Sequence, residues 1–287
     1  MSEHRLSKEE FKNEMKQKRM ALFKKANEQL DVVTSDSSSL LKYLKLQALI
    51  GYNATNTLLV MSENPDATYI KDYARWKEFG TFPIKDEKGI PILEPSKEYT
   101  RKDGSKGINY NIKHVFDVSQ TNYKGELPSV PIKESLIKAI TYKTDIEIEY
   151  LDNTSHLNKS IYLDKTANKM YIQKGLGNDD MIRGLLREFV LVENGINQTP
   201  LINRFEISCV LFMLYYKYGI EPITANFALE CSDYFKNKDD KEKKMIFKNI
   251  KFIFDNITKR INYGLYAESY YQEMECDSRW EKNTLTS

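Results

Sequence analysis

The sequence predicts an α+β protein with two domains, residues 1–126 and 127–287. The 287 residues exceed the roughly 100 to 200 residues of one compact domain. Segments with helical periodicity are interspersed with short segments in which apolar and polar residues alternate, as they do in strands. The stretch Leu127–Pro131 contains two prolines and a serine, a composition typical of the boundary between two domains.

The first domain is predicted to begin with several helices. Ser7 and Glu10 have the spacing of a capping box, which marks a helix N-terminus. Asn53 and Asn56 precede a later apolar run, and Asn64-Pro65-Asp66 breaks that run. The predicted helices cover Ser7 to about Gln29, Leu40 to about Tyr52, the run through Met61, and a short segment from Lys71 to Lys77.

Three short strands are predicted after these helices. Phe82–Ile84 and Ile90–Leu93 read as a hairpin joined by a turn at Asp86–Gly89, and Ile112–Ser119 reads as a third strand. Between them the segment Arg101–Gly107 is rich in Lys, Gly and Asp, so we expect a mobile loop. The first domain is therefore predicted to combine helices with a small sheet.

The second domain is predicted to be mostly helical, with one β-hairpin. Apolar and polar residues alternate on both sides of Lys165–Lys169, which is typical of a hairpin. A helix follows, with Asp179 or Asp180 as its cap and Asn194-Gly195 at its end. The other predicted elements are a helix from Ile132 to Thr141, a strand from Asp145 to Tyr150, helices from Asn203 to Tyr218 and from Pro222 to Phe235, and a long last helix after Asp239.

The helix after this hairpin carries a pattern that bears on catalysis. In many zinc peptidases such a helix reads H-E-x-x-H, with two metal-binding histidines and a glutamate that acts as the base. Here it reads Arg187-Glu188-Phe189-Val190-Leu191, and neither arginine nor leucine can bind zinc. The chain has only three histidines, His4, His114 and His156, so no helix can carry a pair of imidazole ligands. We therefore expect a zincin-like, non-catalytic domain without metal or cofactor, in which Glu188 is a remnant.

Composition excludes several classes of protein. Hydrophobic residues make up 41% and charged residues 29% of the chain, which is typical of a soluble globular protein. No run approaches the roughly 20 apolar residues of a membrane span, and the polar N-terminus does not resemble a secretory signal. We expect a cytoplasmic protein with no membrane partner. The three cysteines are spaced too widely for a metal knuckle and are expected to be reduced thiols.

Basic and aromatic residues are interleaved between Lys71 and Lys113. This segment contains ten basic and seven acidic residues together with six aromatic ones, and Tyr69 lies just before it, although the net charge of the whole chain is only +2. Aromatic rings can stack on unpaired bases while Lys and Arg follow the backbone, so the mixture favours a single strand of nucleic acid. An ordinary solvated surface over an aromatic core is the alternative.

The segment from Leu40 to Thr121 resembles the N-terminal domain of the ArdC family of antirestriction proteins. The resemblance depends on the order and spacing of several short pieces. They are the asparagine before the apolar run, the turn with Pro65, Ala67 and Thr68, then Trp76, Gly80, Lys88-Gly89-Ile90, Ile92-Leu93 and Val115–Thr121. Two positions differ: Thr81 stands where relatives tend to have a basic residue, and Asp86 where they tend to have glycine.

The resemblance implies a function. It implies that the first domain binds single-stranded DNA of a mobile genetic element, such as a plasmid, conjugative transposon or phage, and protects or handles the transferred DNA. A conjugation or restriction-system protein is a possible further partner. The residues expected to contact DNA are Tyr73 and Trp76 by stacking, Asn56 by polar contact, and Lys77, Lys85, Lys88, Arg101 and Lys102 through phosphates.

The second half also resembles the ArdC arrangement, which ends in a zinc-dependent peptidase-like domain. In such peptidases a glutamate on the following helix can provide the third metal ligand, and Glu206 is the matching residue. Asn203 and Glu206 also have the spacing of a capping box, which we prefer because the other two ligands are missing. The alternative function is a protein-interaction module, in which the peptidase-like domain binds a transfer or regulatory partner.

A row of carboxylates is a separate candidate for cation binding. Asp145, Glu147 and Glu149 alternate along one face of a predicted strand. They could bind a metal ion, or they could form the solvent side of an edge strand, which is the more common situation.

Overall fold

The computed structural model is an α+β protein that divides into two compact units. The structure describes residues 7–154, 159–195, 201–223, 231 and 233–284, with backbone only beyond residue 267. One unit, here called unit 1, comprises Met1–Pro128 and Thr224–Lys248, and unit 2 comprises Ser129–Ile223 and Asn249–Ser287. This division differs from the predicted 1–126 and 127–287, because a late segment of the chain returns to unit 1.

Four helices begin unit 1, and a polar side chain caps each of them, Asp72 being the cap of the fourth. The Ser7 hydroxyl accepts from the Glu10 N–H at 3.2 Å while Glu10 accepts from the Ser7 N–H at 2.8 Å, as the capping box predicts. Asp36 and Asn53 cap the next two helices. The helices are α1 (Lys8–Ser35), α2 (Ser37–Ile50), α3 (Ala54–Glu63) and α4 (Tyr73–Glu78).

Helix α1 extends six residues beyond its predicted end at Gln29. Leu30 and Val33 are fully buried and continue the apolar face of the helix past that point. The helix ends where Asp36 adopts an extended backbone conformation, and the same residue caps α2. The end of α1 is thus set by the cap of its neighbour.

The sheet of unit 1 has three antiparallel strands in the order β1-β3-β2, namely β1 (Ile70–Asp72), β2 (Ile90–Thr100) and β3 (Lys106–Asp117). The predicted hairpin between Phe82–Ile84 and Ile90–Leu93 is wrong. Strand β2 pairs with β3 instead, and Pro83 forms only an isolated bridge with Thr121. The outer part of β2 is polar and exposed, so its apolar pattern did not show how far the strand extends.

Two turns in this unit have a defined backbone geometry, and one of them was predicted to be a mobile loop. The predicted mobile loop is a hairpin turn, closed by hydrogen bonds from the Arg101 N–H to the Ser105 carbonyl and from the Gly104 N–H to the Arg101 carbonyl. Asp86 has a φ of 71°, in the left-handed region that favours glycine. This agrees with the glycine that relatives tend to have there.

The late segment of unit 1 contributes to its core. Phe247 is fully buried, with its ring centroid 4.7 Å from that of Tyr43 and 5.7 Å from that of Phe235. Phe247 belongs to the last helix, α8 (Asp240–Thr284), which is assigned to unit 1 up to Lys248 and to unit 2 from Asn249 onward. The apolar stripe of α8 is continuous, so the sequence does not show where the assignment of the helix changes from one unit to the other.

Unit 2 contains the predicted β-hairpin. Strands β5 (Ile161–Asp164) and β6 (Lys169–Gln173) pair antiparallel, which confirms the prediction, and β4 (Glu147–Leu151) adds to β6 in parallel, giving the order β4-β6-β5. The remaining helices are α5 (Lys133–Thr141), α6 (Asn178–Glu193) and α7 (Arg204–Lys217).

The described helix termini after β6 follow the predictions with one exception. The N-cap of α6 is Gly177, and Asp179 and Asp180 lie in its first turn, where their charge suits the helix dipole. Asp239 and Glu242 form both bonds of a capping box at the start of α8, each 2.8 Å long. Most of the helix predicted from Pro222 to Phe235 lies outside the described residues.

The row of carboxylates lies on the edge strand β4 and is bound by the protein itself. Lys169 Nζ lies 2.9 Å from Glu147 and 2.7 Å from Glu149. The hydrogen bonds that Lys169 donates to these carboxylates, the one to Glu149 first, raise the pKa of Lys169 well above its usual range. A lysine ammonium group therefore occupies the position in which a bound cation was considered.

Among the described helices none is long and apolar enough to cross a membrane.

Candidate nucleic-acid interface

Four large apolar side chains of unit 1 are exposed close together in sequence, around α4 and the segment after it. Tyr73 and Phe79 are each 52% exposed, Phe82 is 42% exposed and Ile84 is 48% exposed. The rings of Tyr73 and Phe82 are 6.3 Å apart, so at least these two form one surface. We refer to these four residues as the aromatic face. Exposed apolar clusters of this kind mark binding surfaces.

Hydrogen bonds to the backbone after β3 fix the second half of the aromatic face. The Phe82 N–H donates to Asn122 Oδ1 at 2.8 Å, and the Asn122 N–H donates back to the Phe82 carbonyl at 3.0 Å. The Ile84 N–H donates to the Gln120 carbonyl at 2.9 Å. The segment therefore does not need sheet pairing to hold its side chains in place.

Trp76 is a core residue that is linked to the aromatic face through the Tyr123 ring. Its side chain is fully buried, and its indole N–H donates to the Phe116 carbonyl at 2.9 Å. The Tyr123 ring lies 5.5 Å from Trp76 and 6.5 Å from Phe79, so it links the buried ring to an exposed one. Because the Trp76 side chain is fully buried, no base can stack on it. Its position follows from the helical period, which turns every third or fourth residue of α4 toward the core.

Asn56 also has a packing role. It is buried, its Nδ2 donates to the Leu93 carbonyl at 3.0 Å, and its Oδ1 accepts from the Leu93 N–H at 2.9 Å. Both ends of the amide therefore bind one residue of β2, which ties α3 to the sheet. The expected DNA contact of Asn56 has no support in this geometry, since no polar atom of the amide faces solvent.

One lysine contacts the aromatic face, and three others are close to it in sequence. Lys71 Nζ lies 4.7 Å from the ring centroid of Tyr69 and 5.0 Å from that of Phe79, within the range of a cation–π contact. Three of the predicted phosphate-binding residues, Lys77, Lys85 and Lys88, are exposed on α4 and on the segment before β2. This part of unit 1 thus combines exposed rings with positive charge.

Lys88 also borders an open cavity of about 500 Å³ in unit 1. Gly89 forms part of its wall at a close approach, because a Cβ atom there would come within 2.9 Å of His114 Cβ and of the Phe116 ring. The lining residues are Glu63, Asn64, Lys88, Gly89, Ile90, Pro91, His114 and Gln120.

The remaining predicted contacts, Arg101 and Lys102, lie elsewhere in unit 1. They are exposed in the turn between β2 and β3, whereas Trp76 contacts Phe116 near the other end of β3. Ten residues of β3 separate Lys106 from Phe116, which corresponds to roughly 33 Å of extended strand. The predicted site residues therefore do not converge on one patch.

Sequence reasoning missed Phe79, Phe82 and Lys71 as candidates. All three belong to the aromatic and basic segment that the sequence singled out, but the pattern did not show which rings face solvent. Tyr73, Trp76 and Phe79 follow one another at intervals of three residues, and only the middle one is buried. The one signal was the pair of phenylalanines around Gly80-Thr81, a turn in which large rings cannot all reach a core.

In unit 2, Glu188 is buried on α6 and bound by its neighbours. Arg187 Nε donates to Glu188 Oε1 at 3.1 Å, and Arg187 Nη2 donates to the Ile161 carbonyl at 2.8 Å. The Leu163 N–H donates to Glu188 Oε2 at 3.4 Å, and Lys159 Nζ lies 3.8 Å from Oε1. The carboxylate therefore fastens α6 to β5, and a guanidinium group occupies the side on which a metal ion would be sought.

Comparisons with known proteins find similarity to solved structures only. No family model matches the chain, and no curated protein matches it. Two crystal structures of the antirestriction protein ArdC from plasmid R388 are similar to it. The metal-free structure is 14% identical with a TM-score of 0.49, covering 82% of this chain and 98% of that one. The Mn(II)-bound structure is 14% identical with a TM-score of 0.48, covering 81% and 97%.

The residues of this chain do not fit the metal site that a zinc peptidase requires. Within the described residues no three His, Cys, Asp or Glu side chains are grouped so that they could hold a metal ion. Glu206 is buried and accepts from Asn203 Nδ2 at 3.2 Å, while Asn203 Oδ1 caps α7 by accepting from the Glu206 N–H at 3.1 Å. The Asn203 cap, one half of the capping box preferred from the sequence, is present, and the Glu206 carboxylate binds the same Asn203 side chain.

Proposed function

We propose that this protein binds single-stranded DNA through the aromatic face of unit 1, without catalysing a reaction. The observation that carries the proposal is that Tyr73, Phe79 and Phe82 expose about half of their surface beside Lys71. Unpaired bases stack on such rings, and each stacked base contributes about 1 to 3 kcal/mol. A duplex offers no free base face, so the rings favour a single strand.

Positive charge around the face supplies contacts to the phosphates. Lys71, Lys77, Lys85 and Lys88 are the candidates, and contact by all four would give a slope of about −3 in a plot of log K against log salt concentration for a single strand. Asn56 and Trp76 are not part of this site, since both are buried. They hold the elements that display it.

The proposed biological role follows from the sequence resemblance. We propose that the chain protects or handles DNA transferred with a mobile genetic element, in an antirestriction-like way. The bound state of Glu188 supports a non-catalytic unit 2, because a carboxylate held by Arg187 and a backbone N–H is not disposed to act as a base. A surface for a transfer or restriction-system protein remains the alternative role of this unit.

A titration of fluorescently labelled oligonucleotides at two salt concentrations tests the proposal. We expect Phe79→Ala/Phe82→Ala to weaken binding of a single strand by about 1 to 3 kcal/mol per ring that stacks. Phe11→Ala is the matched control, because Phe11 is 56% exposed in unit 1 outside the aromatic face, and it should bind like the parent. If the parent binds no single strand in dilute buffer, the proposal is wrong; binding that does not change with salt would favour the protein-interaction alternative.

A further inference from the structure

The β2–β3 hairpin continues beyond its sheet as a two-stranded ribbon. We call the segment Glu94–Asn111 the ribbon. Strand β1 pairs only with the last three residues of β3, and every residue from Glu94 to Thr100 is exposed. Seven extended residues span roughly 23 Å. The ribbon is thus long enough to reach a partner that does not touch the sheet itself.

The shape of the ribbon suits a groove of duplex DNA. The register between β2 and β3 shifts between Pro95 and Glu98, which is a β-bulge, and bulges increase the right-handed twist of a strand pair. The major groove of B-form DNA is about 12 Å wide and admits a two-stranded ribbon. A twisted ribbon can follow the groove for several base pairs.

The charge of the ribbon is also complementary to DNA. Its acidic side chains are engaged within the hairpin: Glu94 lies 3.0 Å from Lys113 Nζ, Glu98 lies 3.5 Å from Lys106 Nζ, and Asp103 accepts from the Ser105 N–H at 2.9 Å. In the described part of the chain no carboxylate pairs with the three remaining cations, Lys97, Arg101 and Lys102. The outer half of the ribbon therefore presents net positive charge.

The two aromatic residues of the ribbon already have partners: the Tyr110 ring lies 5.5 Å from that of Phe23, and Tyr99 packs within the hairpin. The Tyr99 ring covers Gly107 so closely that a Cβ atom there would lie 2.5 Å from it, and the Arg101 guanidinium group lies 5.8 Å from the ring centroid. Arg101 is held in turn by the Ser105 hydroxyl at 3.0 Å. The ribbon differs from the aromatic face in that its outer part presents cations without a carboxylate partner, which favours contact with the phosphates of a duplex.

We infer that the ribbon binds duplex DNA, so that the preferred ligand of the protein is a junction between single-stranded and double-stranded DNA. This inference rests on the proposed function of the aromatic face. The two contact regions lie toward opposite ends of β3, roughly 30 Å apart. That distance corresponds to about nine base pairs of a duplex, so one DNA molecule can reach both regions.

Three labelled probes test the inference with the full-length protein. The first is a single strand of about 8 nucleotides, within the range of one single-strand binding site. The second adds a duplex of about 12 base pairs, roughly 40 Å long, to that strand. The third is a single strand of about 20 nucleotides. The variant is Lys97→Ala/Arg101→Ala/Lys102→Ala, and Lys42→Ala/Lys241→Ala/Lys248→Ala is the control, with the same loss of charge at exposed positions outside both regions.

We expect the junction to bind about tenfold tighter than either single strand, and the ribbon variant to abolish this gain while reducing the salt slope on the junction by about 2 to 3. The control variant should keep the gain. Circular dichroism shows whether the ribbon variant is folded. Photocrosslinking from Thr100→p-benzoylphenylalanine, in a chain that keeps Lys97, Arg101 and Lys102, tests the contact with the duplex strands without using that variant.

Two results would overturn the inference while leaving the proposed function intact. One is equal affinity of the junction and the short single strand, with no crosslink to the duplex. The other is a gain on the long single strand as large as on the junction, which would show that the ribbon follows unpaired DNA. If no probe is bound at all, the proposed function itself fails.

Discussion

Individual residues divide into those whose role is local and those whose role depends on the whole unit. Ser7 and Asn203 were recognised as caps from the sequence, because a cap contacts a backbone N–H only two or three residues away. Trp76 and Asn56 were assigned to DNA because their residue types suit it. Their partners, Phe116 and Leu93, lie about 40 residues away, and no local pattern reveals such a contact.

Asn56 provides a test at this scale. We expect Asn56→Ala to lower the free energy of unfolding by about 1 to 3 kcal/mol, because the Leu93 N–H and carbonyl would lose their partners in a buried setting. Urea denaturation of the variant measures this, with Asn109→Ala at an exposed position as control. A variant as stable as the parent that no longer binds single-stranded DNA would contradict the packing role and return Asn56 to the interface.

Glu188 provides a second test. We expect Glu188→Gln to destabilise the protein by about 1 to 3 kcal/mol, since the bonds from Arg187 and Leu163 would weaken, while Glu221→Gln at an exposed position has little effect. Adding Zn²⁺ should not raise the midpoint of thermal unfolding of the parent, because a ligand that does not bind the native state cannot stabilise it. Stoichiometric zinc with a raised midpoint would show that the carboxylate has kept a metal-binding role.

At the scale of elements, predictions succeeded where apolar residues set the period. The hairpin of β5 and β6 was found because buried residues such as Ile161 and Ile172 alternate with polar ones. Strand β2 was cut short at Leu93, because its outer half is exposed on both faces and carries no apolar alternation. The tip of the ribbon, Arg101–Gly107, was for that reason predicted to be a mobile loop. Elements that bury one face are readable from sequence, and elements that project into solvent are not.

The cap of α2 gives a pH-dependent prediction. Hydrogen bonds from Ser39 and Ser38 lower the pKa of Asp36 to about 2, whereas an aspartate in an unfolded chain titrates near 3.9. Because the folded-state pKa is the lower one, the charged cap stabilises the protein above about pH 4, and this contribution is lost as the pH falls toward 2. Asp36→Asn keeps a capping oxygen but does not titrate.

Urea denaturation of the parent and of Asp36→Asn between about pH 6 and pH 2.5 tests this cap. The free energy of unfolding of the parent should fall relative to that of the variant below about pH 4, and the largest difference expected is about 1 kcal/mol, the usual contribution of a cap. Parallel pH profiles for the two proteins would show that the Asp36 carboxylate does not contribute through its charge.

At the scale of the whole molecule, the boundary near residue 127 stays a prediction. Unit 1 consists of two segments, Met1–Pro128 and Thr224–Lys248, and the sequence did not indicate the second of them. Sequence order suggests that a domain is one continuous segment. Helix α8 breaks this expectation because its apolar stripe passes from one unit to the other without a change of period. Ile246 and Ile257 look alike in the sequence, although they are assigned to different units.

Phe247 tests this division. We expect Phe247→Ala to destabilise unit 1 by about 3 to 5 kcal/mol, because a fully buried ring that contacts Tyr43 would be removed, whereas Phe252→Ala, at 43% exposure, should change stability by less than about 0.5 kcal/mol. Unit 1 can be observed selectively, since Trp76 is the only tryptophan left after Trp280→Phe. In Phe247→Ala the Trp76 fluorescence transition should occur at a lower urea concentration, and binding of single-stranded DNA should be weaker. This result would show that the DNA-binding surface depends on a segment more than 100 residues away in sequence. An unchanged Trp76 transition would mean that residues 7–128 fold independently of α8.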